Sequence, residues 1–423
     1  MFTAEYGIPY MAMPTTRDRL NFLFLNVGHF LDHLFTLVFA TVAALALKKE
    51  WGLSYAELVP YATPGFIAFG LFSLPAGRLA DKWSRHGMMV VFFIGIGLAA
   101  IATGFAQSPL QIGVLLFIVG MLAAIYHPVG LAMVVDGAKT SGTGMAIGIN
   151  GVWGNLGVGA AALITGWFID HGGWRSAFIA PGVVSVLIGI AYWVHVRGDI
   201  AAAANKPKAA AATSNPSAGK SADARAALIR LTTIVFFTTA VSSLVFQSTT
   251  FALPKVFDER LGGIAGSATL IGQLAFVVFA LASLAQLVVG SMLDKYGPRL
   301  VFMVVSAIQV VFFILMPGLT DWWALAIALG FMLGAFGQIP INDYMIGKMA
   351  KSELRATIYG VRYVVSFSVL AAALPLIAYL HGNYGFDTLF RVLAGAAAVI
   401  FLAVTMLPGQ IPDGAVEPAG VKA

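Results

Sequence analysis

The stretch GRLADKWSRHG, Gly77–Gly87, returns later in the chain as GSMLDKYGPRL, Gly290–Leu300. Both copies carry G-x-x-x-D-K between two long apolar runs. Asp81 and Asp294 are 213 residues apart. Pro128 and Pro340, Lys139 and Lys351, and Gly148 and Gly360 are each 212 apart. One offset shared by a motif, a proline, a cation and a glycine marks a duplicated unit, with one copy in each half of the chain.

The runs around the repeat have membrane length. A spanning helix needs about 20 mostly apolar residues. Such runs occupy 19–47, 56–79, 87–106, 109–135, 142–169 and 174–196, then 227–254, 266–292, 299–317, 321–346, 355–380 and 386–408. They are continuous rather than alternating with period two, so helices are expected and a barrel is not. Of the 423 residues 59% are hydrophobic and 10% charged, against about a quarter charged in soluble proteins, and mean hydropathy is +0.87. The lipid bilayer is therefore the expected surroundings. Residues 198–225, rich in Ala, Ser, Pro and Lys, are expected to be a flexible or weakly helical cytoplasmic linker between bundles at 1–197 and 226–423.

Charge placement sets the orientation. Of 25 lysines and arginines, 18 fall on the side of the termini, 6 on the other, and Arg362 lies within a span. The positive-inside rule puts both termini in the cytoplasm. Topology thus accounts for the net charge of +6, and no nucleic-acid partner is needed. The absence of cysteine excludes disulfides and thiolate metal sites. No cleaved signal peptide is read at the N-terminus. No G-x-x-x-x-G-K-[ST] loop is present for ATP drive, and no nucleophile elbow or zinc-protease motif points to an enzyme. No cofactor is expected.

The G-x-x-x-D-K/R-x-G-x-R pattern resembles the signature loop of the major facilitator superfamily. The first copy offers Gly77, Asp81, Lys82 and Arg85, with Ser84 where the family usually has Gly; the second offers Gly290, Asp294, Lys295, Gly297 and Arg299. The resemblance spans the whole chain. It implies an all-α membrane protein with twelve transmembrane helices in two pseudo-symmetric six-helix bundles, working as a monomer by alternating access on a small molecule. It also implies that the loop residues latch one conformation. The stretches GHFLDH in the first span and AIYHPVG in the fourth are similar to the fosmidomycin-resistance type of exporter, which implies proton-coupled efflux of a small anionic or amphipathic compound across a bacterial inner membrane. The fourth span, GVLLFIVGMLAAI, lacks the arginine that proton antiporters of the family often carry. The fifth, GINGVWGNLGVG, lacks their Gly-Pro pair. Those departures favour the second reading, uptake or exchange of an organic anion.

Ionisable side chains inside the spans mark the candidate site, because a charge at mid-bilayer costs about 2.5–3.5 kcal/mol on insertion scales unless it is compensated. His29, Asp32 and His33 sit in the first span. Asn26, His29, His33 and Thr36 follow helical spacing as one polar stripe, and Asp32 is placed to pair with His29. Three readings stay open: a proton-coupling site, a polar pair that orients the helix, and part of a divalent metal site. Arg362, with Tyr359, Tyr363 and Ser366 at helical spacing, reads as a substrate contact that takes a carboxylate or phosphonate, or as half of a structural pair with Asp343. By the repeat offset Arg362 corresponds to Asn150, and the two are expected to face each other. Tyr126 and His127, before Pro128, and Gln247 and Gln338 complete the expected cavity lining, with Gln273, Gln286, Asn342, Trp153 and Asn155 as lesser choices. Trp51, Trp174, Trp322 and Trp323 are expected at the membrane interfaces. A non-transporting sensor on the same scaffold is the alternative of a different class.

Overall fold

A computed structural model describes residues 15–137, 143–204, 222–349 and 355–408. Its membrane-length helices are α1 (Thr16–Leu45), α2 (Tyr55–Lys82), α3 (Arg85–Gly104), α4 (Pro109–Gly137), α5 (Ala146–His171), α6 (Trp174–Ala203), α7 (Ile229–Arg260), α8 (Ala268–Leu293), α9 (Lys295–Leu315) and α10 (Asp321–Ile346), followed by the apolar stretch Val361–Thr405. At 1.5 Å per residue that last stretch is about 68 Å long, roughly twice a hydrocarbon core. It breaks at Gly385, whose φ of 74° and ψ of 176° no helix contains. The break separates α11 (355–384) from α12 (386–405), so twelve helices cross. Gly297, at φ 76°, makes the same break inside the second copy of the repeated loop, so the continuous helical run of α9 starts after it, at Pro298.

Two boundaries differ from the sequence reading. The sixth helix continues through Gly198–Ala204, and the seventh begins at Ala222. Alanine is the strongest helix former, so the Ala-rich flanks of the expected linker extend the helices rather than end them. The remaining linker, 205–221, and Lys139 and Lys351 of the repeat lie outside the described residues.

The helices form two bundles, α1–α6 and α7–α12. They meet along three crossings: α1 on α7, α2 on α11 and α5 on α8. The α5–α8 crossing is close because glycine is used on both sides. A Cβ at Gly166 would lie 2.2 Å from the Ala268 carbonyl oxygen, and one at Gly272 would lie 2.4 Å from that of Ala162. The bilayer side of the spans shows exposed Leu71, Leu98, Leu110, Leu284 and Leu287. Lipid tails are as apolar as leucine, so this exposure carries no penalty there.

The helices alternate in direction, which gives the molecule a termini end and a far end. The bundles are closed at the far end. There Asp170, at the end of α5, accepts hydrogen bonds from the backbone nitrogen of Thr269 (2.7 Å) and its Oγ1 (2.5 Å) at the start of α8. Tyr55 packs edge-on to His381, with ring centroids 5.3 Å apart. Toward the termini end, Gly159, Gly151 and Gly148 continue the α8-facing stripe of α5, and Gly290 continues the opposite stripe of α8. Cβ atoms at Gly148, Gly151 and Gly290 would meet nothing within 4 Å. Among the described residues, the bundles therefore part toward the end that holds the termini.

Of the expected interface tryptophans, Trp322 and Trp323 are 68% and 74% exposed. Trp174 is not an interface anchor: it is buried, and its indole nitrogen donates to Glu50.

Candidate functional site

The site lies where α1, α4 and α5 face α10 and α11. On α1, Asn26 and Asp32 are buried, and His29 and His33 are half-buried. On α4 the chain forms a single π-helical turn at Tyr126–Gly130. Pro128 has no amide hydrogen and cannot continue the α-helical ladder, and such turns concentrate at functional positions. The turn directs both Tyr126 and His127 inward: Tyr126 is fully buried and His127 is 7% exposed.

Within the first bundle one network holds these residues. Tyr126 Oη donates to the Leu25 carbonyl at 2.8 Å. Asn150 Nδ2 donates to Tyr126 Oη at 2.9 Å and to Asn26 Oδ1 at 3.0 Å. His29 Nδ1 donates to the Asn150 carbonyl at 2.7 Å. The His29 ring stacks on Tyr126 with centroids 4.9 Å apart, and it has room because residue 154 is glycine: a Cβ there would lie 2.6 Å from the ring.

Asp32 does not pair with His29. Its Oδ2 lies 3.3 Å from His127 Nε2, and its side chain is fully buried. The reason is geometric. His29 is drawn toward α5, while the π turn brings His127 to the other side of Asp32. Asn150 also departs from expectation: at 1% exposure it is committed to Asn26, Tyr126 and His29 of its own bundle and does not face Arg362. Thr36 leaves the polar stripe too, since its hydroxyl donates to the Asp32 and His33 carbonyls of its own helix.

Across the interface, Arg362 forms an ion pair with Asp343. Next to it, Tyr363 stacks on His127 with centroids 4.8 Å apart, and the guanidinium carbon of Arg362 lies 5.5 Å from the Tyr363 ring centre. Phe367 of α11 stacks on Phe69 of α2 at 3.8 Å, and Phe69 stacks on His127 at 5.8 Å. His127 therefore joins both bundles: it meets Asp32 on one side and the Tyr363–Arg362–Asp343 group on the other.

Gln338 is buried and donates to Gln309, while Asn342 accepts from Thr239 and donates to the Gln338 carbonyl. These amides tie together helices of the second bundle. Gln247 is half-buried on α7. Tyr359 is helical, and its side chain lies outside the described set, as does that of Asp294. Ser366 accepts a hydrogen bond from Ser243 at 2.9 Å.

In the first repeated loop, Arg85 bridges Asp81 (3.0 Å) and Asp136 at the end of α4. A Cβ at Gly77 would stand 3.4 Å from Pro128, so the small residue brings α2 against the π turn. Lys82 lies at the exposed end of α2, and Arg299 lies in the opening turn of α9. In the second loop the Lys295 ammonium lies 5.1 Å from the Tyr296 ring centre, and Gly290 faces open space.

Phe69 and Phe367, central to the interface, were not singled out by the sequence. With 31 phenylalanines in the chain, nothing in their spacing separates them from lipid-facing ones. Their contact arises only when the bundles meet.

Twelve spans in two halves, with a buried polar centre between them, match one known family. A Major Facilitator Superfamily match covers residues 25–263 and 235–423. The chain belongs to the Major Facilitator Superfamily. It is a multi-pass membrane protein. It is 27% identical to the gallate transporter of Pseudomonas putida over 36% of this chain and 34% of that one. It is 25% identical to the multidrug resistance protein MdtG of Proteus mirabilis over 77% of this chain and 78% of that one. The chain spans about a third of the length of the first curated relatives it matches. Among solved structures, a bacterial homologue of the human lysosomal transporter Spinster, in an inward-facing and occupied conformation, shares the fold with a TM-score of 0.68 at 15% identity, covering 92% of this chain and 94% of that one. The peptide transporter POT in complex with sulfate has a TM-score of 0.72 at 15% identity, covering 91% and 93%.

Proposed function

We propose that this superfamily member carries a small organic anion together with protons, and that the anion enters at Arg362. The observation that carries this reading is the Arg362–Asp343 ion pair beside the His127–Asp32 contact, on the interface between the bundles. A substrate carboxylate competes with Asp343 for the guanidinium fork. The Asp343 carboxylate that leaves the fork is then available as the acceptor for a proton that enters with the anion. Anion and proton then load together. Asp32 and His127, with His29 and His33 around them, form the second proton-exchanging group. The ring faces of Tyr363, His127, Phe69 and Phe367 suit an aromatic or amphipathic body attached to the anion. Relatives named for gallate and 4-hydroxybenzoate carry aromatic carboxylates, which agrees with that substrate class.

A second reading is proton-coupled efflux of an amphipathic compound. It draws on MdtG, which aligns with over three quarters of this chain. In both readings the chain acts as a monomer in a bacterial inner membrane with cytoplasmic termini. The repeated loops, including Asp81, Arg85 and Asp294, serve as the conformational latch.

Proteoliposomes loaded with a pH-sensitive dye separate these readings. Symport predicts that an inward gradient of 4-hydroxybenzoate acidifies the lumen, that Arg362→Ala abolishes this response, and that Asp32→Asn leaves residual flux with reduced proton movement. Alkalinisation on substrate entry would favour exchange. Flux with unchanged pH dependence in Asp32→Asn would overturn the proton assignment.

A further inference from the structure

The geometry points to a Zn²⁺ site beside the interface between the bundles, formed by His29, His33 and His127 with Asp32 as the fourth ligand. One ligand nitrogen from each of the three histidines lies within 4.8 Å of the other two. His29 and His33 are separated by four residues on one helix, so their rings project from the same face with centroids 5.0 Å apart. His127 approaches from the π turn, with centroids 5.4 Å from His29 and 5.5 Å from His33. In a tetrahedral centre with metal–ligand bonds of 2.0–2.1 Å, ligand atoms stand about 3.3 Å apart. Asp32 Oδ2 and His127 Nε2 already have that separation, at 3.3 Å.

Two independent observations point to a ligand here. Both Asp32 carboxylate oxygens and His127 Nε2 are buried without a hydrogen-bond partner. Buried polar atoms are nearly always hydrogen-bonded, and a cation satisfies all three at once. His29 Nδ1 is hydrogen-bonded to the Asn150 carbonyl. A carbonyl only accepts, so Nδ1 bears the proton and Nε2 carries the lone pair. Metal-binding histidines are held in this way by their surroundings. Three neutral imidazoles and one carboxylate suit Zn²⁺ over the hard ions Mg²⁺ and Ca²⁺, which take oxygen ligands. His29 and His33 are half-buried rather than fully enclosed.

A Zn²⁺ ion held by Asp32 and His127 would bridge α1 to α4 beside the Tyr363 contact.

Binding is tested apart from transport. Purified protein in detergent is titrated with Zn²⁺ by isothermal calorimetry in a weakly chelating buffer, and with Co²⁺ by visible absorption, which reports tetrahedral ligation directly. One ion per chain and tetrahedral Co²⁺ bands are expected. His33→Ala and His127→Ala should each weaken binding by at least about tenfold, and a His171→Ala/His381→Ala control should bind as the parent does. Asp32→Asn, which keeps the side-chain shape, should weaken binding while keeping the melting temperature, guarding against misfolding. Parent-like affinity in His33→Ala and His127→Ala, or octahedral Co²⁺ spectra, would overturn the site. Proton coupling is judged separately by the lumen-pH response, so loss of the metal site with intact coupling refutes only the metal.

Discussion

Asp170 and Thr269 belong to opposite bundles, yet one carboxylate oxygen of Asp170 accepts from both the backbone nitrogen and the hydroxyl of Thr269, at 2.7 and 2.5 Å. Thr269 lies in the first turn of α8, where backbone donors lack helical partners and a negative charge is favoured. The contact caps a helix and closes the far end of the transporter in a single interaction. Hydrogen bonds to a charged group are worth about 1.5–3 kcal/mol. Asp170→Ala should shift the carrier toward the far-end-open state by about tenfold or more, read as broadened far-end distances in spin-label measurements. Unchanged distance distributions would show that the cap does not bear on the equilibrium.

The chain lacks cysteine, so introduced pairs report cleanly. Ala56 of α2 and Gly382 of α11 approach so closely that a Cβ at Gly382 would lie 2.9 Å from that of Ala56. A disulfide needs Cβ atoms about 3.8 Å apart, so a small separation of the helices accommodates it. Ala56→Cys/Gly382→Cys should cross-link under mild oxidation and arrest transport, and dithiothreitol should restore flux. Full transport in the cross-linked protein would mean the far end need not open.

The Arg362–Asp343 pair separates structural from substrate roles. The Arg362 side chain is 11% exposed and that of Asp343 40%, so solvent screens part of the pair. Asp343→Leu should lower thermal stability modestly, and Arg362→Leu/Asp343→Leu should recover it. The double variant should still fail to transport anions. A double variant that transports at the parent rate would reduce the pair to a structural element.

At the far-end surface, Arg175 grips both oxygens of Glu50, at 2.8 and 3.1 Å, and the Trp174 indole donates to the same carboxylate. The guanidinium bond, and then the indole, hold the Glu50 carboxyl below its ordinary value near 4.5. A depressed folded-state value means the contribution is complete above about pH 4.5 and is lost as pH falls through the lower, folded value. For so exposed a group the contribution is about 1 kcal/mol or less. Glu50→Gln should lower the melting temperature by a few degrees at neutral pH, and the gap to the parent should close below pH 4.5.

Much of this architecture was legible along the chain because lipid enforces a simple rule. Every backbone group in the hydrocarbon must find a partner within its own segment, so a long apolar run has little choice but a helix. The repeat at 212–213 residues supplied the two-bundle plan, and Asp32, His127 and Arg362 stood out because charge is rare in such runs. The alanine-rich flank Gly198–Ala204 is helical, in keeping with the high helix propensity of alanine.

Partner choice was beyond the chain's linear reach. Helical spacing allowed Asp32 to meet His29, and only the π turn at Tyr126–Gly130 brought His127 to it instead. Asn150 shares the repeat register of Arg362, but hydrogen bonds to Asn26 and Tyr126 turn it into its own bundle. What sequence alone determined, then, was which segments span the membrane, that they come in two related halves, and where charge is stored. Which charges meet, and which end of the molecule is closed, was decided only in three dimensions. Those outcomes depend on the rotation and approach of helices far apart in the chain, set by glycines and aromatic rings whose neighbours are known only once the bundles pack.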